Sequence, residues 1–139
     1  MKKIILIISL LLVSTMSVYA DRFVPEFDKM QTIRCEISET VYDRGDNVVS
    51  KNNYHRLLRF DDENNLLYLQ KEPVSGVFSY GKNKVQYKEQ SMTDDFIMYS
   101  DITVDRTNNE YNSQSKIVYD NPDFAPRYAK ASGNCKILN

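Results

Sequence analysis

The chain has 139 residues, 42% hydrophobic and 27% charged, with 18 basic against 19 acidic side chains and a single histidine. That length suits one ordinary domain, able to bury roughly two thirds of the surface its unfolded chain exposes. Beyond Lys2 and Lys3 its basic residues fall singly, the densest group being Lys51, His55, Arg56 and Arg59, so it lacks the cationic tract that a nucleic-acid backbone or an anionic membrane surface would require of a partner.

The first twenty residues, "MKKIILIISLLLVSTMSVYA", place Lys2 and Lys3 before an apolar run at 4–18, with Val18 and Ala20 at the third and first positions before a cut. This predicts a secretory signal peptide over 1–20 and a single β-rich domain over 21–139. A membrane anchor would need roughly 20 apolar residues and a stop-transfer cluster, and Asp21 stands where a lipoprotein would carry cysteine. The short Lys-Lys start has bacterial character, so the periplasm or the medium is the expected address, with no membrane span after cleavage. Loss of Lys2 and Lys3 leaves 16 basic against 19 acidic side chains, a net charge of −3.

Beyond the leader the period is mostly two. "VPEFDKM" at 24–30 is the one helical candidate, with Pro25 suited to a first turn. Ile33, Cys35 and Ile37 then alternate with polar residues as a half-buried strand. "YDRGDN" at 42–47 is a turn. The apolar runs 54–60 and 66–70 flank "DDENN" as a hairpin, although 52–60 also reads as helical. A second hairpin joins 76–81 to 84–87 around 81–83. Residues 96–104 alternate Phe96, Met98, Ser100, Ile102 and Val104 onto one face. "DRTNNE" turns into 111–119, where Tyr111, Ser113, Ser115, Ile117 and Tyr119 share a face. After a Pro-punctuated loop at 120–126, the last strand (128–138) alternates Ala129, Ala131, Gly133, Cys135 and Ile137 inward.

Two cysteines in an exported chain predict one disulfide, Cys35 to Cys135, rather than a zinc site, which would need more soft ligands than these and His55 supply. A disulfide requires its Cα atoms within about 7 Å, so the first and last strands must meet. The expectation is therefore all-β: a small antiparallel meander of about eight strands, closed as a barrel or coiled sandwich by the disulfide.

Catalytic chemistry finds no support. His55 has no G-x-S-x-G elbow to serve, and both cysteines are committed to each other. Asp61, Asp62 and Glu63 lack the spacing of a calcium loop. Asp94 and Asp95 read as a polar hairpin tip, and Asp101 and Asp105 as a solvated strand face. The four glycines (45, 76, 81, 133) are too scattered to cradle phosphate. Asp105 and Arg106 read as structural turn residues. No cofactor, metal or enzymatic activity is expected. What remains is ten tyrosines, several alternating with polar residues. Tyr99, Tyr87 and Tyr68 are the candidate recognition surface, because a tyrosine ring offers contact area at low entropy cost.

The first-strand cysteine, "RFDDENNLLYL", the "ITVDR" turn (102–106) and the terminal "SGNCK" together resemble a loose group of short exported bacterial proteins that end in a G-x-C-K element and carry no assigned activity. That resemblance implies a disulfide-closed β-fold and structural roles for Cys35, Asp105, Arg106, Gly133 and Cys135. The lipocalin G-x-W signature is absent from a chain without tryptophan. The expected function is non-enzymatic binding to a protein or envelope component through a strand face or loop set. The alternatives are a carrier of a small apolar ligand in the barrel interior and an inhibitor of a secreted hydrolase.

Overall fold

In the computed structural model of the chain, which describes residues 24–139, the alternating stretches are strands of one antiparallel sheet. The predicted leader and its cleavage site lie outside the described residues. In chain order the strands are β1 (Gln31–Tyr42), β2 (Val48–Asp61), β3 (Leu66–Leu69), β4 (Glu72–Pro73), β5 (Val77–Tyr80), β6 (Lys84–Met92), β7 (Phe96–Asp105), β8 (Glu110–Tyr119) and β9 (Arg127–Ile137). The strand beyond the predicted eight is β4, two residues long and too short to leave a periodic signal. The helical candidate at 24–30 is reduced to a 3-10 turn, Phe27–Lys29. The helical reading of 52–60 gives way to β2, because that stretch pairs residue for residue with β1 from Asn52 to Phe60.

The strand order is β4-β3-β2-β1-β9-β8-β7-β6-β5. Each strand pairs with its neighbour in sequence, with two exceptions. The first and last strands pair with each other, and β4 and β5 do not pair. The sheet is therefore a meander joined through its termini and left open at a seam between β4 and β5, curled into a half-barrel. Cys35 and Cys135 face each other across the β1–β9 ladder and are disulfide-bonded, with Cys35 fully buried. The bond thus fastens the middle of the sheet, far from its edges.

Inward positions follow the alternation. Ile33, Cys35, Ile37, Leu58, Phe60, Val85, Ile102 and Val104 pack one core, and Val41, Ile117 and Ala129 form a smaller one under Phe96, Met98 and Tyr119. Ile137, expected inward, is 49% exposed. The β8 ladder stops at Asn134, so nothing on that side covers the residues beyond it. Gly133 is required by close approach: a Cβ there would sit 2.1 Å from the Glu36 carbonyl oxygen.

Two turns at one end of the sheet, β2–β3 and β7–β8, repeat one pentapeptide pattern, D-x-x-N-N. In each, the first Asp accepts hydrogen bonds from the backbone and side-chain N–H groups of the first Asn: Asp61 from Asn64 at 3.2 and 2.9 Å, and Asp105 from Asn108 at 3.0 and 3.0 Å. The second Asn, Asn65 or Asn109, takes the left-handed conformation that asparagine tolerates. The second positions of the two turns then meet. Arg106 donates to both carboxylate oxygens of Asp62 at 2.7 and 3.0 Å, and also to Gly81 O and Gln31 Oε1. Its guanidinium lies 4.1 Å from the Phe60 ring centroid. Tyr80 of β5 donates to Asp62 at 2.8 Å. One arginine thereby ties β1, the β2–β3 turn and the far limb of the sheet together.

Candidate functional site

Side chains that point outward from β6, β7, β8, β9 and β1 fall into rows, because the pairing registers place every second residue opposite its neighbour on the same face. The first row runs Gln90, Tyr99, Lys116, Tyr128, Tyr42. The second runs Lys88, Asp101, Gln114, Lys130, Thr40 and continues to Lys51 on β2. The third, Gln86, Thr103, Asn112, Ser132, Ser38 and Asn53, carries no charge and only hydroxyl and amide groups. Tyr99 and Tyr128 are each 47% exposed. With Tyr42 they line an open groove of about 610 Å³, along with Gln114, the lysines Lys116 and Lys130 and the carboxylates Asp46 and Asp101. A second groove, about 550 Å³, continues over the third row.

Charge is spread unevenly over this face. Four lysines (51, 88, 116, 130) stand among these three rows with one acid, Asp101, whereas the next row, Lys84, Asp105, Glu110, Asn134, Glu36 and His55, carries three acids against one lysine. Lys88 reaches Asp101 at 3.7 Å, with both side chains about two-thirds exposed, a pair worth little in water. Part of the third row is already organised: Ser38 donates to Asn53 at 3.0 Å and Gln86 to Thr103 at 3.4 Å.

The concave side carries a different polar group. Arg56 of β2 and Glu89 of β6 pair across the opening of the half-barrel at 2.7 and 3.3 Å. Burial, the largest single influence, would lower the Arg56 pKa, but the hydrogen bonds to Glu89 together with charge interactions with Tyr111, Tyr87 and Glu89 outweigh it and the net shift is upward. Tyr54, Tyr87 and Tyr111 lie beside this pair. Burial raises Tyr54, pushes Tyr87 up to about 12 and drives Tyr111 higher still. Phenols so shifted stay protonated and serve as neither base nor nucleophile near neutrality. The cluster spans the gap between two strands that share no backbone ladder, and its chemistry is that of a clasp.

Of the three predicted recognition tyrosines, only Tyr99 is on the surface. Tyr87 is fully buried and Tyr68 is 7% exposed. Tyr87 shares its face with Val85, which points into the core. Tyr68 faces outward but is covered by the N-terminal turn, whose Phe27 ring meets it edge-on at 5.3 Å. Their places are taken by Tyr42 and Tyr128, which pair directly across β1 and β9. Eighty-six positions separate them in sequence, and only the register set by the disulfide-linked strands brings them together. Asp105 is found at its turn, as expected of a structural residue, and Arg106 reaches beyond its own hairpin to Asp62. His55 lies exposed on β2 opposite Glu36. Asp61 and Asp62 serve the turn and its clamp. Among the described residues no three His, Cys, Asp or Glu side chains converge as metal ligands, and no helix is long and apolar enough to cross a membrane.

Neither the sequence nor the fold finds a counterpart: no family model, no characterised protein and no solved structure matches the chain.

Proposed function

We propose that the protein is an exported, non-enzymatic recognition domain that binds a component of the cell envelope or its surroundings through the outward face of β7, β8, β9 and β1. The observation that carries this reading is the row Tyr99, Lys116, Tyr128, Tyr42, in which three tyrosines drawn from distant parts of the chain meet beside a groove. Exposed aromatic rings interleaved with donors give area and orientation together, at the cost of few rotatable bonds. The disulfide supports the exported address, since such bonds persist in oxidising compartments. A carrier role draws no support from an interior packed with Leu58, Phe60, Val85 and Ile102.

The test is retention of the purified oxidised protein on sedimented envelope material. Tyr99→Ala with Tyr128→Ala should abolish retention, while Phe78→Ser, on the separate edge strand β5, should leave it unchanged. Equal retention of all three proteins would refute the assignment of the face.

A further inference from the structure

At the two ends of the strand order the sheet's edges are short: β4 spans two residues and includes Pro73, and β5 spans four. Brief edges and proline are how sheets avoid pairing with other chains. β2 is different. β1 pairs with it from Val48 to Phe60, but on its other side β3 covers only Leu58 to Asp61, and Gln70 N–H reaches Leu57 O at 2.8 Å. Over 48–56 no strand of the described residues pairs with that side, and every residue from Val48 to Asn53 is exposed. The Leu57 carbonyl points off this edge, so the alternation of an antiparallel strand turns the N–H and C=O groups of Lys51, Asn53 and His55 the same way. Little guards them. The stretch holds no proline, its one bulge is confined to Val49 near its end, and its inward charge, Arg56, is drawn to Glu89.

We infer that this edge pairs with the same edge of a second copy of the chain, forming a symmetric antiparallel dimer through β2. The register that uses all of 48–56 on both copies is centred on Asn52, which meets its own counterpart. Lys51 then falls opposite the second copy's Asn53, and Val49 opposite its His55, so no like charges face each other. Lys51 and Asn53 both direct their amides off the edge, so each such pair exchanges two hydrogen bonds. Charge along the flank is balanced: Lys51 and Arg56 on β2 stand against Glu36 and Glu39 on the paired stretch of β1. A like flank is therefore not repelled, and neither an acidic nor a basic partner is favoured over it. A second copy also brings an edge of equal length that is already extended, whereas a flexible peptide must first be ordered at about 1–2 kcal/mol per residue. Such a pair is closed, because each copy consumes the edge the other offers. Its two-fold axis stands perpendicular to the sheet, so the outward faces of both copies look the same way. The dimer stands on the free edge alone, whatever that face binds.

Sedimentation equilibrium of the whole chain, expressed with its leader and oxidised, should show twice the monomer mass, falling to the monomer on dilution. Asn53→Pro should raise the dissociation constant by at least about tenfold. Its thermal unfolding should change little, because the N–H it removes points away from β1 and proline is tolerated at such edge positions. Lys51→Pro repeats the test at the neighbouring edge amide should Asn53→Pro not fold. Asn52→Cys should cross-link two copies under mild oxidation, since the pair at the axis is of the closely spaced, non-hydrogen-bonded kind, with Cα atoms about 4.5 Å apart. A monomer at the highest attainable concentration would overturn the inference, as would a dimer indifferent to the proline variants. Failure of Asn52→Cys to cross-link in a proline-sensitive dimer would overturn the register. A monomer whose β2 edge instead takes up a peptide from envelope material, and loses it in Asn53→Pro, would give the edge a different occupant and overturn self-pairing.

Discussion

Reducing or deleting the disulfide should destabilise the fold through the unfolded chain, with the folded sheet largely intact. Cys35 and Cys135 are opposite one another in a ladder that continues on both sides, from Ile33↔Ile137 to Tyr42↔Tyr128, so the native strands stay paired without the bond. The unfolded chain, by contrast, regains the freedom of a loop closed over a separation of 100 residues. Loop-closure entropy puts that at about 4.7 kcal/mol at 25 °C, or roughly three orders of magnitude in the unfolding equilibrium. With a urea slope of about 1.5 kcal/mol per molar for a domain of this size, the midpoint should fall by roughly 3 M. Urea unfolding monitored by tyrosine fluorescence would compare the oxidised protein, the reduced protein, Cys35→Ala, Cys135→Ala and the double variant. All four altered forms should cluster within about 1 kcal/mol of one another, because each removes the same cross-link. Additive losses in the two single variants would refute the reasoning, and so would a loss well under 1 kcal/mol on reduction.

Arg106→Ala removes a cation that is largely buried and engages Asp62, Gln31 and Gly81, so unfolding free energy should drop by about 3 kcal/mol. Asp62→Ala should cost less, the double variant should cost little more than Arg106→Ala, and fully additive losses would sever the proposed clamp. The hydrogen bonds from Arg106 hold the Asp62 carboxyl below the usual carboxylate range. The pair's stabilisation is thus present above the unfolded value near 3.9 and lost as pH falls through the lower folded value. Asp62→Asn should accordingly flatten the acid limb of a stability–pH curve below about pH 4, and an unchanged limb would contradict this. Gly133→Ala forces a Cβ against the Glu36 carbonyl and should cost about 1–3 kcal/mol as overpacking in a rigid ladder, measured by thermal unfolding; a neutral result would mean the two strands separate freely there. The Tyr87 hydroxyl is buried beside Arg56 and Tyr111 without closing a hydrogen bond of standard geometry. Tyr87→Phe should therefore be neutral or stabilise by about 1 kcal/mol, and should remove one phenolate absorbance change near pH 12; a clear loss of stability would show that the hydroxyl is satisfied.

The strands were legible because their burial is one-sided: "FIMYSDITV" and "YNSQSKIVY" alternate as the sheet requires. The disulfide was legible because a chain with two cysteines has one possible pairing. The site was not legible, because periodicity assigns a residue to a face without saying which strand lies beside it. Tyr87 stands between the polar Gln86 and Lys88, yet Val85 draws it inward, whereas the Met98–Ile102 face leaves Tyr99 outward. The lysines that fall singly along the sequence gather only when β6 to β9 and β1 are placed in register. The seam between β4 and β5 was equally hidden, since a meander joined through its termini looks like a closed barrel from sequence. The Asp62–Arg106 contact could have been suspected from the recurrence of D-x-x-N-N at 61–65 and 105–109, with opposite charges at the second position.

The decisive measurement is amide chemical-shift mapping of the isotopically labelled, oxidised protein against solubilised envelope material. Binding through the outward face predicts perturbations concentrated on Tyr99, Gln114, Lys116, Tyr128, Lys130 and Tyr42, with the Arg56–Glu89 opening and the β4–β5 seam silent. Perturbations centred on that opening or seam, with the Tyr99–Tyr128 row silent, would contradict it.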